Sequence, residues 1–440
     1  MHIKIYSLAT LGLLFLAATT TQAATTSLAS TEHSVLVQIN HEREKAGRPV
    51  LKLNAQLTEA RGFSLQREEV ATSHRLRLRS AVQEVVERQA ELGIDVVNDG
   101  EYGKAMRSRL DYGAWISYVI ERFTGFEEQG AKSAWGAEGA EGAIKPGSHQ
   151  NRRDRHAFPD VYAEVDREMF AGGPRPMGRP IVEKVTYRGH DALQTDIENL
   201  RAALVVSGFS RTASDAFMTS PAPGTFGRDQ NRYYKTQEEF LFALADALRV
   251  EYRAITDAGF ILQIDDPGMA ENWDAMDPSV TVDQYREYAR LCIAALNHAL
   301  DGIPADRVRY HMCWGSWHGP HLTDIPLRDI VDLLLTVRVG ALSIEAGNVR
   351  HEHEWKVWRD VKLPDHMALI PGVVSHATNV VEHPELVCDR LVRFAQIVGR
   401  ERVIAGTDCG LGGRVHPSLA WTKLQALVDG AELASRQLWS

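Results

Sequence analysis

The amino-acid sequence predicts an α/β fold, a (β/α)8 TIM barrel formed as a single barrel with a long insertion between its early strands. Three observations predict it. Short apolar runs rich in β-branched residues alternate with amphipathic runs of helical period from residue 93 to the C-terminus. Eight such apolar runs can be found along the chain, the number a closed barrel needs. No GxGxxG follows a strand-like run, which argues against the competing fold, an open doubly wound sheet.

In chain order, SVLVQI at Ser34–Ile39 is the expected first strand. The amphipathic run HRLRLRSAVQEVVERQAELG leads into GIDVVNDGE, which starts at Gly93. Regular alternation then fails between about Phe123 and Gly189, where GAKSAWGAEGAEGAIKPGSHQ is rich in Gly and Ala and has no period. That span, 123–189, reads as an irregular insertion, either a lid over a site or a solvent-exposed excursion. Alternation resumes with DAFMTSP, GFILQIDDP, RVRYHMCWG, GALSIEAG, MALIPGVVSH and RVIAGTDCG as strands. The helical runs between and after them are TQEEFLFALADALRVEYRAITDAG, VDQYREYARLCIAALNHAL, PLRDIVDLLLTVRVG, HPELVCDRLVRFAQIVG and the C-terminal WTKLQALVDGAELASRQLW. Apolar residues in them recur at three- and four-residue spacing. The barrel is therefore expected over residues 30–440.

Residues 1–23 have a different character. Lys4 precedes the apolar run Leu8–Ala18 and a stretch of small residues, a secretory signal pattern with cleavage near Ala23 or Ala24. The expectation is export to the periplasm or medium, with a cytoplasmic location as the alternative if the pattern is a mimic. The run is too short for a stable membrane span, and no later segment resembles one. A net charge of −9 without a basic stripe argues against nucleic acid as a partner. Four cysteines in 440 residues do not make a disulfide scaffold. Cys292 and Cys388 fall in apolar helical patterns and read as core thiols.

The other two cysteines end strands. Residues i and i+2 of a strand share a face, so His311 and Cys313 point the same way at the C-terminal end of RVRYHMCWG. Imidazole nitrogen and thiolate sulfur are preferred zinc ligands. Cys409 closes RVIAGTDCG and Glu345 closes GALSIEAG, and a barrel gathers all strand C-termini on one face. Glu345 has the weakest claim of these, because a rim carboxylate often serves only as a hydrogen-bonding group. Glu101, Asp265, Asp266 and His376 end further strands, and together with the donors they read as a metal site with acids and a base. His318, His321, His351, His353 and His383 read as loop or helix-start residues.

As an ordered set, NDGE at Asn98–Glu101, QIDDP at Gln263–Pro267, HMC at His311–Cys313, SIE at Ser343–Glu345, GVVSH at Gly372–His376 and TDCG at Thr407–Gly410 resemble the catalytic barrel of cobalamin-independent methionine synthase. They resemble still more its single-barrel relatives, which include the epoxyalkane:coenzyme M transferases. The resemblance runs from about Ser80 to the C-terminus, excluding the insertion, and implies a single catalytic barrel. It implies Zn2+ as cofactor, held by His311, Cys313, Glu345 and Cys409. It implies that Glu101 and Asp265 bind the amino group of a homocysteine-like acceptor and that His376 supplies a proton near the leaving group. In the family a substrate thiol joins the zinc as a thiolate and attacks an alkyl donor. Two departures stand out: the chain has no room for the second barrel of full-length methionine synthases, and the first-strand region TEHSVLVQINHERE lacks the family's Gly-Ser-Leu/Phe-Pro turn.

The function expected is thus a zinc-dependent S-methyltransferase or alkyltransferase, most simply one that methylates homocysteine or a similar thiol in methionine biosynthesis. Its partners are a small-molecule thiol and an alkyl donor, a folate-borne methyl group among the options. An epoxide-opening thiol transferase is the alternative, for which Arg414 or Arg350 could meet an acceptor sulfonate. A non-catalytic exported zinc-binding protein is the alternative of another class. A uroporphyrinogen-type decarboxylase shares the barrel but uses no zinc, and the HxC…Glu…Cys set argues against it. Oligomeric state has no signature in the sequence.

Overall fold

The protein was analysed as a computed structural model, which describes residues 60–104, 115–127, 152–170, 180–206, 212–226, 231–316 and 318–440. The chain divides into two compact units, Leu14–Arg79 and the remainder, Met1–Leu13 with Ser80–Ser440. The expected signal at 1–23 and the expected first strand Ser34–Ile39 lie outside the described residues. All the described strands belong to Ser80–Ser440.

Helix α1 (Ala60–Glu91) runs into strand β1 (Val97–Asn98) through Gly93, whose φ of 90° reverses the chain. Next come α2 (Ile116–Arg122), α3 (Pro159–Phe170) and α4 (His190–Val206). The regular alternation then begins: β2 (Ala216–Pro221), the short turn α5 (Pro223–Phe226) and α6 (Gln237–Asp257); β3 (Ile261–Asp265), α7 (Gly268–Ala275) and α8 (Val282–Ala299); β4 (Val308–Met312) and α9 (Val331–Leu334). It continues with β5 (Ala341–Glu345), a 3-10 segment at Glu352–Arg359, β6 (Ala368–Val374), α10 (Pro384–Val398), β7 (Gly406–Thr407) and α11 (Pro417–Trp439).

The seven described strands form one sheet in the order β1-β2-β3-β4-β5-β6-β7, and every neighbouring pair is parallel. Sequential order with a crossover after each strand is the connectivity of the predicted barrel. Each of the seven runs expected from Gly93 onward contains one of these strands. Strands β2 and β4 are buried at every position, as parallel strands with both faces covered must be. Among the described residues no helix is long and apolar enough to cross a membrane.

Local chemistry sets the helix starts. Thr236 accepts from Glu239 N at 3.1 Å to begin α6, and Thr281 with Gln284 makes a capping box for α8. His383 and His416 cap α10 and α11, each followed by a proline in the first turn, where a missing N–H costs nothing. The expectation that His383 starts a helix is met. Cys292 and Cys388 are buried on α8 and α10, as core thiols.

The 123–189 span is only partly irregular. Its Gly/Ala-rich stretch 130–150 lies outside the described residues, but α3 and a 3-10 turn at Arg153–His156 lie within it. Isolated antiparallel bridges join Phe123 to Tyr187 and Phe126 to Ile181. The described parts and the elements flanking them are fastened down. Tyr187 and Ser220 donate to buried Glu251 of α6 at 2.6 and 2.9 Å, and Tyr118 donates to the same carboxylate. Arg122 pairs with Asp196 at 2.5 Å, and Arg152 pairs with Glu271 and, at 3.1 Å, with Asp274. The aperiodic composition of 130–150 hid the helix beside it.

Candidate functional site

Every predicted site residue stands at the C-terminal end of its strand. Asp265 and Glu345 are the last residues of β3 and β5, and His311 is the penultimate residue of β4. Cys313 follows β4 by one residue, while His376 and Cys409 follow β6 and β7 by two. Glu101 sits in the turn after β1 with φ 58°, a left-handed conformation stabilised by its N–H donating to Asp99 Oδ1 at 2.9 Å. Parallel pairing puts Asp265 opposite His311 in register, which aligns two of these ends directly.

His311, Cys313 and Cys409 come together: one donor atom from each lies within 4.8 Å of the other two. His311 and Cys313 are each 4 % exposed. His311 Nδ1 is 3.2 Å from Ser343 Oγ, which orients the ring, while Nε2 is buried with no hydrogen-bond partner. An imidazole held at one nitrogen and orphaned at the other, beside two sulfurs, fits a metal-binding histidine. The sulfurs are not equivalent. The hydrogen bond from Cys313 pulls the Cys409 thiol well below its ordinary value, with help from His311, and the same bond pushes Cys313 up. Burial would lower His311, but the negative character of Cys409 beside it outweighs burial and raises the imidazole. The cluster therefore already carries one thiolate-like sulfur, as a metal requires of its cysteine ligands.

Glu345 falls into a second group. Its carboxylate, one nitrogen of His376 and an oxygen of Asp408 lie within 4.8 Å of one another, all buried. Glu345 accepts from Trp314 N at 3.1 Å and from Asn348 Nδ2 at 2.9 Å. Burial and then the charge of Asp408 push it well above the carboxylate range, and burial pushes Asp408 to about 7. Burial lowers His376 to about 4, so at neutral pH it is the neutral imidazole.

Glu101 and Asp265 are also brought together. Burial, and then the like charge of Asp265, raises Glu101 to about 8, while burial raises Asp265. Thr219 donates to Glu101 and accepts from buried Lys104 Nζ at 3.0 Å, so a lysine stands behind this acid pair. Asp266 turns the other way, accepting from Tyr310 Oη at 2.8 Å and Thr225 Oγ1 at 3.0 Å. Alternation along the strand decides between the two adjacent aspartates. Arg350 donates to Leu322 O at 2.6 Å, and the charge of Arg414 reaches His376 and helps lower it.

Sequence reasoning missed Lys104, Ser343, Asp408 and the environment of His351. Asp408 stood in the TDCG motif, and a small polar residue one position before a ligand was the available signal. His351 starts a helical segment as expected, yet it is buried, stacks on Trp314 at 3.7 Å between centroids, and binds Asp324 at 2.9 Å and Glu354 at 3.2 Å. Both of its ring nitrogens are thus occupied by carboxylates, which leaves none for a metal.

Comparison with known proteins agrees with the expected resemblance. Residues 226–433 match the family described as cobalamin-independent synthase, catalytic domain. That stretch holds Asp265, His311, Cys313, Glu345, His376, Asp408 and Cys409, and leaves Glu101 outside. The chain is 25 % identical over 235 residues to a Xanthobacter autotrophicus protein named 2-hydroxypropyl-CoM lyase, covering 47 % of this chain and 57 % of that one. It is 27 % identical over 212 residues to a Thermococcus kodakarensis protein named methionine synthase, covering 47 % and 54 %. The matches thus span little more than half the length of these two relatives. A solved B12-independent methionine synthase from a Shewanella species, in complex with selenomethionine, shares the fold with a TM-score of 0.59 at 20 % identity, covering 84 % of this chain and 90 % of that one. Residues 226–433 are thus similar to the catalytic domain of cobalamin-independent synthases.

Proposed function

We propose that the protein is a zinc-dependent transferase that readies a substrate thiol for alkylation, most simply by methyl transfer to homocysteine or a similar thiol. The observation that carries this reading is the buried His311, Cys313 and Cys409 group, whose donor atoms lie within 4.8 Å of one another. Two sulfurs and one imidazole nitrogen suit zinc and leave a position for one more ligand. Bound there, zinc supplies the positive charge that makes a sulfur ligand a thiolate at neutral pH. Two cysteine thiolates in the set favour sulfur chemistry over water activation, which more often uses histidine-rich ligation.

The remaining roles belong to the chain's own groups. Glu101 and Asp265 offer a paired acid site to the ammonium group of an amino-acid thiol, whose charge favours the ionised form of Glu101, and Lys104 behind them offsets part of their mutual repulsion. His376, neutral and with Nδ1 unpartnered, can orient a reacting group or pass a proton beside Cys409. A second reading, transfer of a thiol to an epoxide-derived or other alkyl group, is favoured by the similarity to the Xanthobacter protein named 2-hydroxypropyl-CoM lyase.

Metal analysis tests the central element. Purified protein is expected to carry zinc, and Cys409→Ser to lose most of it. Protein that purifies without zinc and rebinds none removes the proposal. Methyl transfer to homocysteine from folate-borne and simpler donors tests the first reading. Activity with an epoxide and a thiol but none with homocysteine puts the second in its place.

A further inference from the structure

Parallel barrels fill their interiors with layers of side chains in which bulky branched apolar residues dominate. One level below the candidate site, two adjacent positions are polar instead. Gln263 of β3 and Arg309 of β4 are paired in register and are 1 % and 2 % exposed. Two residues further along the same strands stand Asp265 and His311, paired in their turn, so alternation turns all four side chains to one face. We propose that Arg309, acting through Gln263, positions Asp265 for the ammonium group of an acceptor and so sets a preference of the site for aminothiols. The inference rests on the acceptor-binding role proposed above for Asp265.

The three side chains form a continuous hydrogen-bonded chain. Arg309 Nε donates to Gln263 Oε1 at 2.7 Å, and Gln263 Nε2 donates to Asp265 Oδ1 at 2.7 Å. A guanidinium only donates and an ionised carboxylate only accepts. The amide between them therefore has one workable orientation, its oxygen toward Arg309 and its nitrogen toward Asp265. Arg309 thereby decides which end of Gln263 meets the carboxylate. With an apolar residue at 309, the amide is free to turn its oxygen toward Asp265, where two acceptors repel and the carboxylate loses its fixed direction.

The arginine is itself held in place. Its guanidinium carbon lies 3.5 Å from the centroid of the Phe217 ring on β2, a cation–π contact made across the sheet. Burying a guanidinium is unfavourable compared with an apolar side chain of similar volume, even when the charge is well partnered. Stability alone therefore does not account for an arginine at this level of the barrel, whereas fixing the direction of an acid above it does. Each acid of the pair then has its own support. Thr219 donates to Glu101 and accepts from Lys104 Nζ at 3.0 Å on one side, and Gln263 with Arg309 holds Asp265 on the other. A thiol without an amino group makes no use of that direction, so the effect falls on the choice of acceptor rather than on thiol binding in general.

Calorimetric binding to the full-length, zinc-loaded protein tests this, with homocysteine and the mercaptobutanoate in which hydrogen replaces its ammonium group as the two ligands. The wild type is expected to prefer homocysteine roughly 10- to 100-fold, the range of one charge-assisted hydrogen bond. Arg309→Met should cut that preference roughly 10-fold by weakening homocysteine, and should change the deaminated thiol by less than about twofold. If that variant folds poorly by circular dichroism, Arg309→Met combined with Gln263→Leu makes the level wholly apolar, and the same loss is expected. In an Asp265→Asn background Arg309→Met should have little further effect on the preference, because both act through one carboxylate. An arginine with only a structural role would weaken both thiols alike. Equal weakening of both, or a preference that survives both the single and the double variant, overturns the proposal while the acceptor reading stands on its own Asp265→Asn result. A wild type that holds the two thiols alike removes the ammonium role of Asp265, and the proposal falls with it.

Discussion

His351 gives a stability prediction with a defined sign. Its ring is buried, with Nε2 2.9 Å from Asp324 and Nδ1 3.2 Å from Glu354. Both nitrogens face carboxylates, so both must donate, and the ring must be an imidazolium. Burial alone would lower it, but the hydrogen bonds it donates to Asp324 and Glu354 dominate and raise it from 6.5 to about 9. The folded-state value lies above the unfolded one, so the stabilisation is complete below about pH 6.5 and is lost as pH rises through about 9. At roughly 1.36 kcal/mol per tenfold in proton affinity, the span corresponds to about 3 kcal/mol. Urea unfolding of the wild type and His351→Gln, measured from pH 6.5 to 9.5, isolates this contribution from other titrating groups. The wild type should lose about 3 kcal/mol more over that window than the variant does. The variant should start about 3 kcal/mol or more below the wild type at pH 6.5, because Asp324 and Glu354 are left buried without their cation. Two stability curves that run parallel across the window would refute the imidazolium assignment.

Three further outcomes are expected from the same geometry and from the N-terminal sequence. Gly372→Ala pushes a Cβ to 2.5 Å from Asp408 N and should cost about 1–3 kcal/mol, read as a lowered Tm; an unchanged Tm would mean that β6 and β7 are less closely apposed. Asp265→Asn weakens the charge facing an acceptor's ammonium, and loss of one charge-assisted hydrogen bond predicts a KM for homocysteine raised roughly 10- to 100-fold with a smaller change in kcat. An unaltered KM would remove Asp265 from acceptor binding. We propose that the chain is exported, so N-terminal sequencing of the mature protein should begin near Ala24, and an intact Met1 would exclude it.

Much of the architecture was readable from one dimension because the repeat is regular. Each strand-like run from Gly93 onward contains a strand, since a buried parallel strand followed by an amphipathic helix carries its period in the residues themselves. The ends of those runs also marked His311, Cys313, Cys409, Glu101 and Asp265, because a parallel barrel sends every strand end to one face. Helix α3 was missed because it adjoins a stretch with no period, and the anchoring of the neighbouring turn through Arg152 depends on α7, more than a hundred residues away.

The sequence by itself determined the donor types and the end of the sheet at which they gather, because strand alternation and chain direction are local rules. Only the tertiary structure decided how those donors divide. Glu345 ends its strand as His311 and Cys313 end theirs, and its carboxylate also comes close to His376 and Asp408, a placement for which the bare Gly372 beside Asp408 leaves room. Alternation turns Asp265 and Asp266 to opposite sides, and only the fold supplies Tyr310 and Thr225 as the partners that hold Asp266 away from the site. Pairwise proximity across strands depends on register, twist and side-chain volume together, and no single segment encodes it.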